Sequence, residues 1–182
     1  FMLLSQVAAA LALGRTGLAW QPDVLHCNDW HTGPAVALVH QHDSRPRTVF
    51  TIHNLAHMGL FDRATFVRLG LPTHLWSGDA LEFFGNLSFI KGGLCFADWI
   101  TAVSPSYAEE ICSSPGGMGL EGLLNYRRDR LVGILNGIDQ AVWNPETGQY
   151  EEVVVDEYDV VLDAREFPRP CNYQLLRIRH PD

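Results

Sequence analysis

The sequence predicts an α/β fold, a Rossmann-like domain built on a parallel sheet, and three observations carry that expectation. First, four short apolar runs recur along the chain: Asp23-Val24-Leu25, Thr48 to Ile52, Trp99 to Val103 and Leu131 to Leu135. Second, each run ends in polar residues: His26-Cys27-Asn28-Asp29-Trp30-His31-Thr32-Gly33, His53-Asn54, Ser104-Pro105 and Asn136-Gly137. Third, helix-like segments separate the runs. Short buried strands alternating with helices imply parallel pairing, with both sheet faces covered. In such sheets the carboxyl ends of the strands share one edge, and ligands bind in the crevice outside it. Four polar clusters distant in sequence are thereby expected to converge on one cleft.

Each element has a local reason. Phe1 to Leu13 is rich in Ala and Leu and reads as a packed helix stopped at Gly14 and Gly17. A turn at Gln21-Pro22 precedes the first strand, Asp23 to Cys27. Thr32-Gly33-Pro34 is expected to open a helix through His40, with Pro in the first turn, where its missing N–H costs nothing. The second strand covers Arg47 to Ile52. From Asn54 to about Phe84 the periodicity breaks into scattered Gly, Pro, Trp and Phe, predicting a long loop with short helices, one at Arg63 to Leu69. Leu87 to Phe96 has helical spacing and leads into the third strand. Ser104 is an N-cap candidate, with Pro105 at the first helical position and Glu109-Glu110 continuing that helix. Gly-rich residues 116–119 lead to a predicted helix over Leu120 to Arg130 and then the fourth strand.

Composition narrows the function. The chain has 182 residues, 47% hydrophobic and 19% charged, which suits one globular core. Its net charge is −8 and Lys91 is its only lysine. No basic stripe of the kind nucleic acid requires is present, so no nucleic-acid partner is expected. The apolar start is shorter than the ~20 residues of a membrane span and lacks a preceding basic segment, so no membrane partner is expected either. Cys27, Cys95, Cys112 and Cys171 have no metal-finger or disulfide-framework spacing. Buried apolar roles are expected for Cys95 and Cys112.

Two motifs compete for a function. Gly117-Met118-Gly119-Leu120-Glu121-Gly122 matches the dinucleotide pattern G-x-G-x-x-G, but a helix and a Ser-Ser-Pro turn precede it where a strand is needed. A dinucleotide-binding oxidoreductase is therefore the weaker alternative. His26, Asp29, His31 and His53 could be drawn as metal ligands, although no pair is spaced to fix two ligands on one element. No G-x-S-x-G elbow and no Walker-type lysine loop occurs.

The ordered motifs resemble one family. Asp23 to Gly33, Thr48 to Ala56, Phe84 to Gly93 and Ile100 to Ala108 are similar, in order and spacing, to bacterial glycogen synthases and plant-type starch synthases. So are Gly119 to Leu124, Leu135 to Asp139 and Trp143 to Thr147. The resemblance implies most of the N-terminal, acceptor-side half of a GT-B glycosyltransferase over residues 1–147. Residues 148–182, with an acidic hairpin-like start and an Arg/Pro-containing end, do not resemble the family and have no assigned role. The parent reaction it implies is retaining transfer of glucose from ADP-glucose to the non-reducing end of an α-1,4-glucan.

The resemblance also implies site roles. Asp29 of the Asp-Trp-His motif faces the acceptor or the reacting sugar, and His53 sits over the donor glucose. Asn54 and Asn136 bind substrate, and His31 supports Asp29. It implies no metal and no cofactor, ADP-glucose being a substrate. The cations for the leaving diphosphate would come from a C-terminal domain, so that this chain alone is expected to be catalytically incomplete. A bacterial cytoplasmic location is implied, or a plastid one if the chain is plant-type. A non-catalytic glucan-binding remnant remains the alternative from another functional class.

Overall fold

The computed structural model describes residues 1–137. The expected hairpin and tail at 148–182 lie outside the described residues. Within them the order is α1 (Met2–Ala12), β1 (Val24–Asn28), α2 (Asp29–His40), β2 (Arg47–Ile52), β3 (Leu60–Phe61) and α3 (Arg63–Arg68). Then come β4 (Glu82–Phe83), β5 (Asn86–Ser88), α4 (Phe89–Phe96), β6 (Trp99–Ala102), α5 (Pro105–Glu110), α6 (Glu121–Tyr126) and β7 (Leu131–Gly133).

The principal sheet has the order β1-β2-β6-β7 with every pairing parallel, as the repeated strand-then-polar layout predicts. In β2, Thr48, Phe50 and Ile52 are buried while the residues between them are more exposed, the two-residue alternation of a strand with one face against the core. Phe50, Ile52, Ile90, Leu94 and Ile100 are fully enclosed in that core. Burial of one such side chain contributes roughly 1.5–3 kcal/mol.

Helices α2 and α4 cross backbone to backbone at Gly33 and Gly92. A Cβ added at Gly92 would lie 2.5 Å from the Gly33 carbonyl oxygen, and one at Gly33 would collide with the Phe89 carbonyl. Only glycine permits that approach, and it seats α4 close enough for Ile90 and Leu94 to join the core.

Several boundaries differ from expectation. Helix α2 starts at Asp29 rather than Thr32, so Pro34 lies inside the helix. The early start is held by the Thr32 hydroxyl, which accepts from the Asn28 N–H at 2.8 Å and donates to the Asn28 carbonyl at 2.7 Å. Leu87 belongs to β5 and α4 begins only at Phe89. The predicted helix to Arg130 divides into α6 and a 3-10 turn at Arg128–Arg130. The region expected to be loop contains β3 and β4, which pair with β5 just beyond it in a second, antiparallel sheet, β3-β5-β4. Cys95 and Cys112 are only half buried, whereas Cys27 is the buried cysteine of the three described.

The end of the sheet opposite the polar clusters is closed by one ion-pair node. Arg45 donates to both oxygens of Asp98 at 2.7 and 2.9 Å, and the Thr48 N–H donates to the same carboxylate at 2.8 Å. The pair is largely sheltered, with 16% side-chain exposure on each partner. The guanidinium and these hydrogen bonds hold the Asp98 carboxyl well below the usual carboxylate range.

Candidate functional site

The carboxyl ends of β1 and β2 are laced together by side chains from the polar clusters. Asp29 follows β1 with φ of 55°, a left-handed conformation that a non-glycine residue adopts at a cost. That turn sends its carboxylate across to the next strand end, where Oδ1 accepts the His53 N–H at 2.8 Å and lies 3.5 Å from the Asn54 N–H. The neighbouring Asn28 Oδ1 lies 3.0 Å from His53 Nε2. With that oxygen as acceptor, Nε2 carries the proton and Nδ1 remains for a ligand hydroxyl. Asn28, His53 and Asn54 are all exposed, so this constellation opens to solvent.

A third strand end joins through α5. Ser104 caps that helix, accepting from the Tyr107 N–H at 3.0 Å, as the Ser-Pro pattern predicts. The cap sets Tyr107 in the first turn, where its hydroxyl oxygen accepts the Leu55 N–H at 2.8 Å. Burial pushes the Tyr107 hydroxyl above its ordinary pKa, keeping it neutral. Asn136 lies exposed three residues beyond β7, past the point where the Ile134 N–H still pairs with the Ala102 carbonyl at 2.8 Å. The structure thus joins Asp29, His53 and Asn54 directly and sets Asn136 after the fourth strand of the same sheet.

His31 is placed differently from expectation. The atoms on the Asp29 carboxylate are the His53 and Asn54 amides, and the His31 ring instead packs on Trp30 at 4.0 Å and on Phe1 at 4.4 Å. A residue two positions beyond Asp29 has already turned away around the first helical turn. His26 also leaves the cluster, its Nε2 lying 2.7 Å from the Thr51 hydroxyl. Among the described residues no group of three or more His, Cys, Asp or Glu is arranged to hold a metal ion. Cys27 is no thiolate nucleophile, because burial pushes its thiol up to about 11.

The Gly117 loop lacks what a dinucleotide site needs. A turn following α5 precedes it instead of a strand, and the Gly119 N–H is already bonded to Glu121 Oε2 at 2.7 Å. A carboxylate stands where a pyrophosphate would have to accept that proton.

Two site residues escaped the sequence reading. Asn28 was legible as part of the motif but not as the partner of His53, since a contact across two strands needs the register. Tyr107 had a usable signal, its place at the third position after a Ser-Pro cap.

Three comparisons show which known proteins the chain resembles. The starch synthase catalytic domain family matches residues 1–126. "Glycogen synthase 1" of Methylococcus capsulatus is 58% identical over 150 residues, covering 82% of this chain and 30% of that relative. The glycogen synthase of Thioalkalivibrio sulfidiphilus is 57% identical over 187 residues, covering 99% of this chain and 39% of its own length. That alignment runs past Thr147. Among solved structures, the catalytic domain of starch synthase IV from Arabidopsis thaliana, bound to ADP and acarbose, superposes with a TM-score of 0.69 at 32% identity, covering 81% of this chain and 31% of that one. The chain therefore spans about a third of the length of these relatives.

Proposed function

Because this chain belongs to the starch synthase catalytic-domain family, we propose that its laced strand ends form the sugar-facing half of a retaining glucosyltransferase that lengthens an α-1,4-glucan from ADP-glucose. The observation that carries this is the strained Asp29, whose carboxylate fixes the His53 and Asn54 backbone while Asn28 holds the His53 ring. Pre-set groups of this kind act on developing charge without reorganising during the reaction.

In the transfer, the bond from glucose C1 to the diphosphate oxygen breaks and a bond from C1 to an acceptor hydroxyl oxygen forms. The acceptor's proton leaves with the diphosphate or through it. Glucose C1 becomes oxocarbenium-like in between, which favours a nearby carboxylate and firmly placed hydroxyl partners. His53 Nδ1 is available to a glucose hydroxyl, Asp29 Oδ2 supplies negative charge, and Asn54 and Asn136 supply amide contacts. Asn54 Oδ1 already accepts the Ala56 N–H at 3.0 Å, which leaves its amide NH₂ for a sugar. The leaving diphosphate needs cations or helix N-termini. The set Asn28, Asp29, His53, Asn54 and Tyr107 contains neither arginine nor lysine. We assign that task to the remainder of the protein, and no resident metal or cofactor is required.

The experiment is calorimetry and radiolabel transfer on the 182-residue chain. Maltoheptaose should bind weakly, and Asp29→Ala should weaken it about tenfold, the loss of one charge-assisted hydrogen bond. ADP-glucose and maltoheptaose should give no transfer with this chain alone. A flat titration of folded protein would overturn the sugar site, and transfer by the chain alone would overturn the division of labour.

A further inference from the structure

The loop that follows β2 carries His53 and Asn54, and every amide from His53 to His57 has an acceptor. The His53 N–H donates to Asp29 Oδ1 at 2.8 Å, and the Asn54 N–H lies 3.5 Å from the same oxygen. The Leu55 N–H donates to Tyr107 Oη at 2.8 Å. The Ala56 N–H donates to Asn54 Oδ1 at 3.0 Å, and the His57 N–H to the Asn54 carbonyl at 3.3 Å. Among the described residues, only Asp29 and Tyr107 reach these amides from outside the loop.

Those two anchors stand on opposite flanks. In the order β1-β2-β6, β2 lies between its neighbours. Asp29 directly follows β1, and Tyr107 lies in α5, which follows β6. The backbone that carries His53 is therefore held from both sides. Leu55, 1% exposed, anchors the same stretch in the main core, and the half-buried Tyr107 ring packs against that core. The Ser104 cap takes the Tyr107 N–H at 3.0 Å, so the first turn of α5 fixes where the ring starts.

The hydroxyl has a specific task there. A phenyl ring of the same shape would fill the space but leave the Leu55 N–H without its acceptor, which costs more than the bond itself gains. Burial, with the Glu110 and Asp29 carboxylates adding to it, pushes the Tyr107 hydroxyl above its ordinary pKa. It therefore stays neutral and brings no charge to the site. His53 and Asn54, by contrast, are exposed at the strand ends.

We infer that Tyr107 is a positioning residue for glucosyl transfer, touching no sugar itself and holding the Leu55 amide so that the loop presents His53 in one place. The reaction it serves rests on the function proposed above. A group that must meet developing charge loses much of its effect when displaced by about 1 Å. Loosening the loop therefore slows the bound complex and leaves its formation almost unchanged.

The test uses the full-length protein and the variants Tyr107→Phe, His53→Ala and the two combined, assayed with ADP-glucose and glycogen well below each Tm. Tyr107→Phe should lower kcat about tenfold and leave both KM values within about twofold. In the His53→Ala background the same change should cost less than about threefold, because the group it positions is gone. Amide exchange over residues 53–57 should quicken about tenfold in Tyr107→Phe, while exchange in β2 stays as in the parent. Ser104→Ala keeps the hydroxyl and removes the cap that sets it, so it should give a milder form of the same pattern even where Tyr107→Phe does not fold. An unchanged kcat or unchanged exchange would overturn the inference, leaving Tyr107 a support of the fold alone. A raised KM would overturn it by making Tyr107 a direct sugar contact. A full tenfold cost in the His53→Ala background would overturn it by making Tyr107 act independently of His53. If the parent transfers no glucose, the proposed function fails, yet exchange over residues 53–57 still reports whether Tyr107 holds the loop.

Discussion

At the scale of single residues, two carboxylates show how the same group serves opposite ends of one sheet. Asp29 accepts strain to join two strand ends at an exposed edge. Asp98 sits sheltered at the other end, satisfied by Arg45 and Thr48. Its folded pKa lies below the unfolded value of about 3.9, so its stabilisation is fully present above that value and is lost as pH falls toward the folded pKa. Asp98→Asn should cost about 2 kcal/mol in urea unfolding at pH 7. The gap between the two proteins should narrow below about pH 4. An equal gap at pH 3 would show that the charge of Asp98 is not what stabilises. The residues of the strand-end site were legible where a motif carried them, as Asp29, His53 and Asn54 were. The position of His31 was not, because the direction of a side chain after a left-handed turn depends on that turn, which a motif does not encode.

At the scale of elements, the fold depends on close contact between α2 and α4. Gly92→Ala should destabilise by about 1–3 kcal/mol through overpacking against the Gly33 carbonyl, read from the urea midpoint at unchanged slope. An unshifted midpoint would mean that the crossing opens without cost. The four parallel strands were readable because each joins an apolar run to a polar stop. The β3-β5-β4 sheet was not, since strands of two or three residues are too short to display a two-residue period. Its hairpin was hidden further by Phe84-Gly85, which lacks the usual Asn-Gly or Asp-Gly signal. The start of α2 was misplaced because Pro34 read as a first-turn proline, while the Thr32 hydroxyl bonds back to the Asn28 N–H and carbonyl and so holds a turn that begins at Asp29.

At the scale of the whole molecule, sheet order brings the polar clusters to one edge, and residues 1–126 match the starch synthase catalytic domain family. The function proposed above sets the sugar contacts on the strand-end residues and leaves the charge of the diphosphate to residues outside that set. Among the described residues no helix is long and apolar enough to cross a membrane. The measurement that tests this division most directly is glucose transfer from radiolabelled ADP-glucose to glycogen by the full-length protein, with and without His53→Ala. The native protein should transfer glucose, and the variant should lose about a hundredfold or more in rate, the cost of removing one preorganised polar contact to the reacting sugar. No transfer by a folded native protein, or an undiminished rate in the variant, would contradict the account.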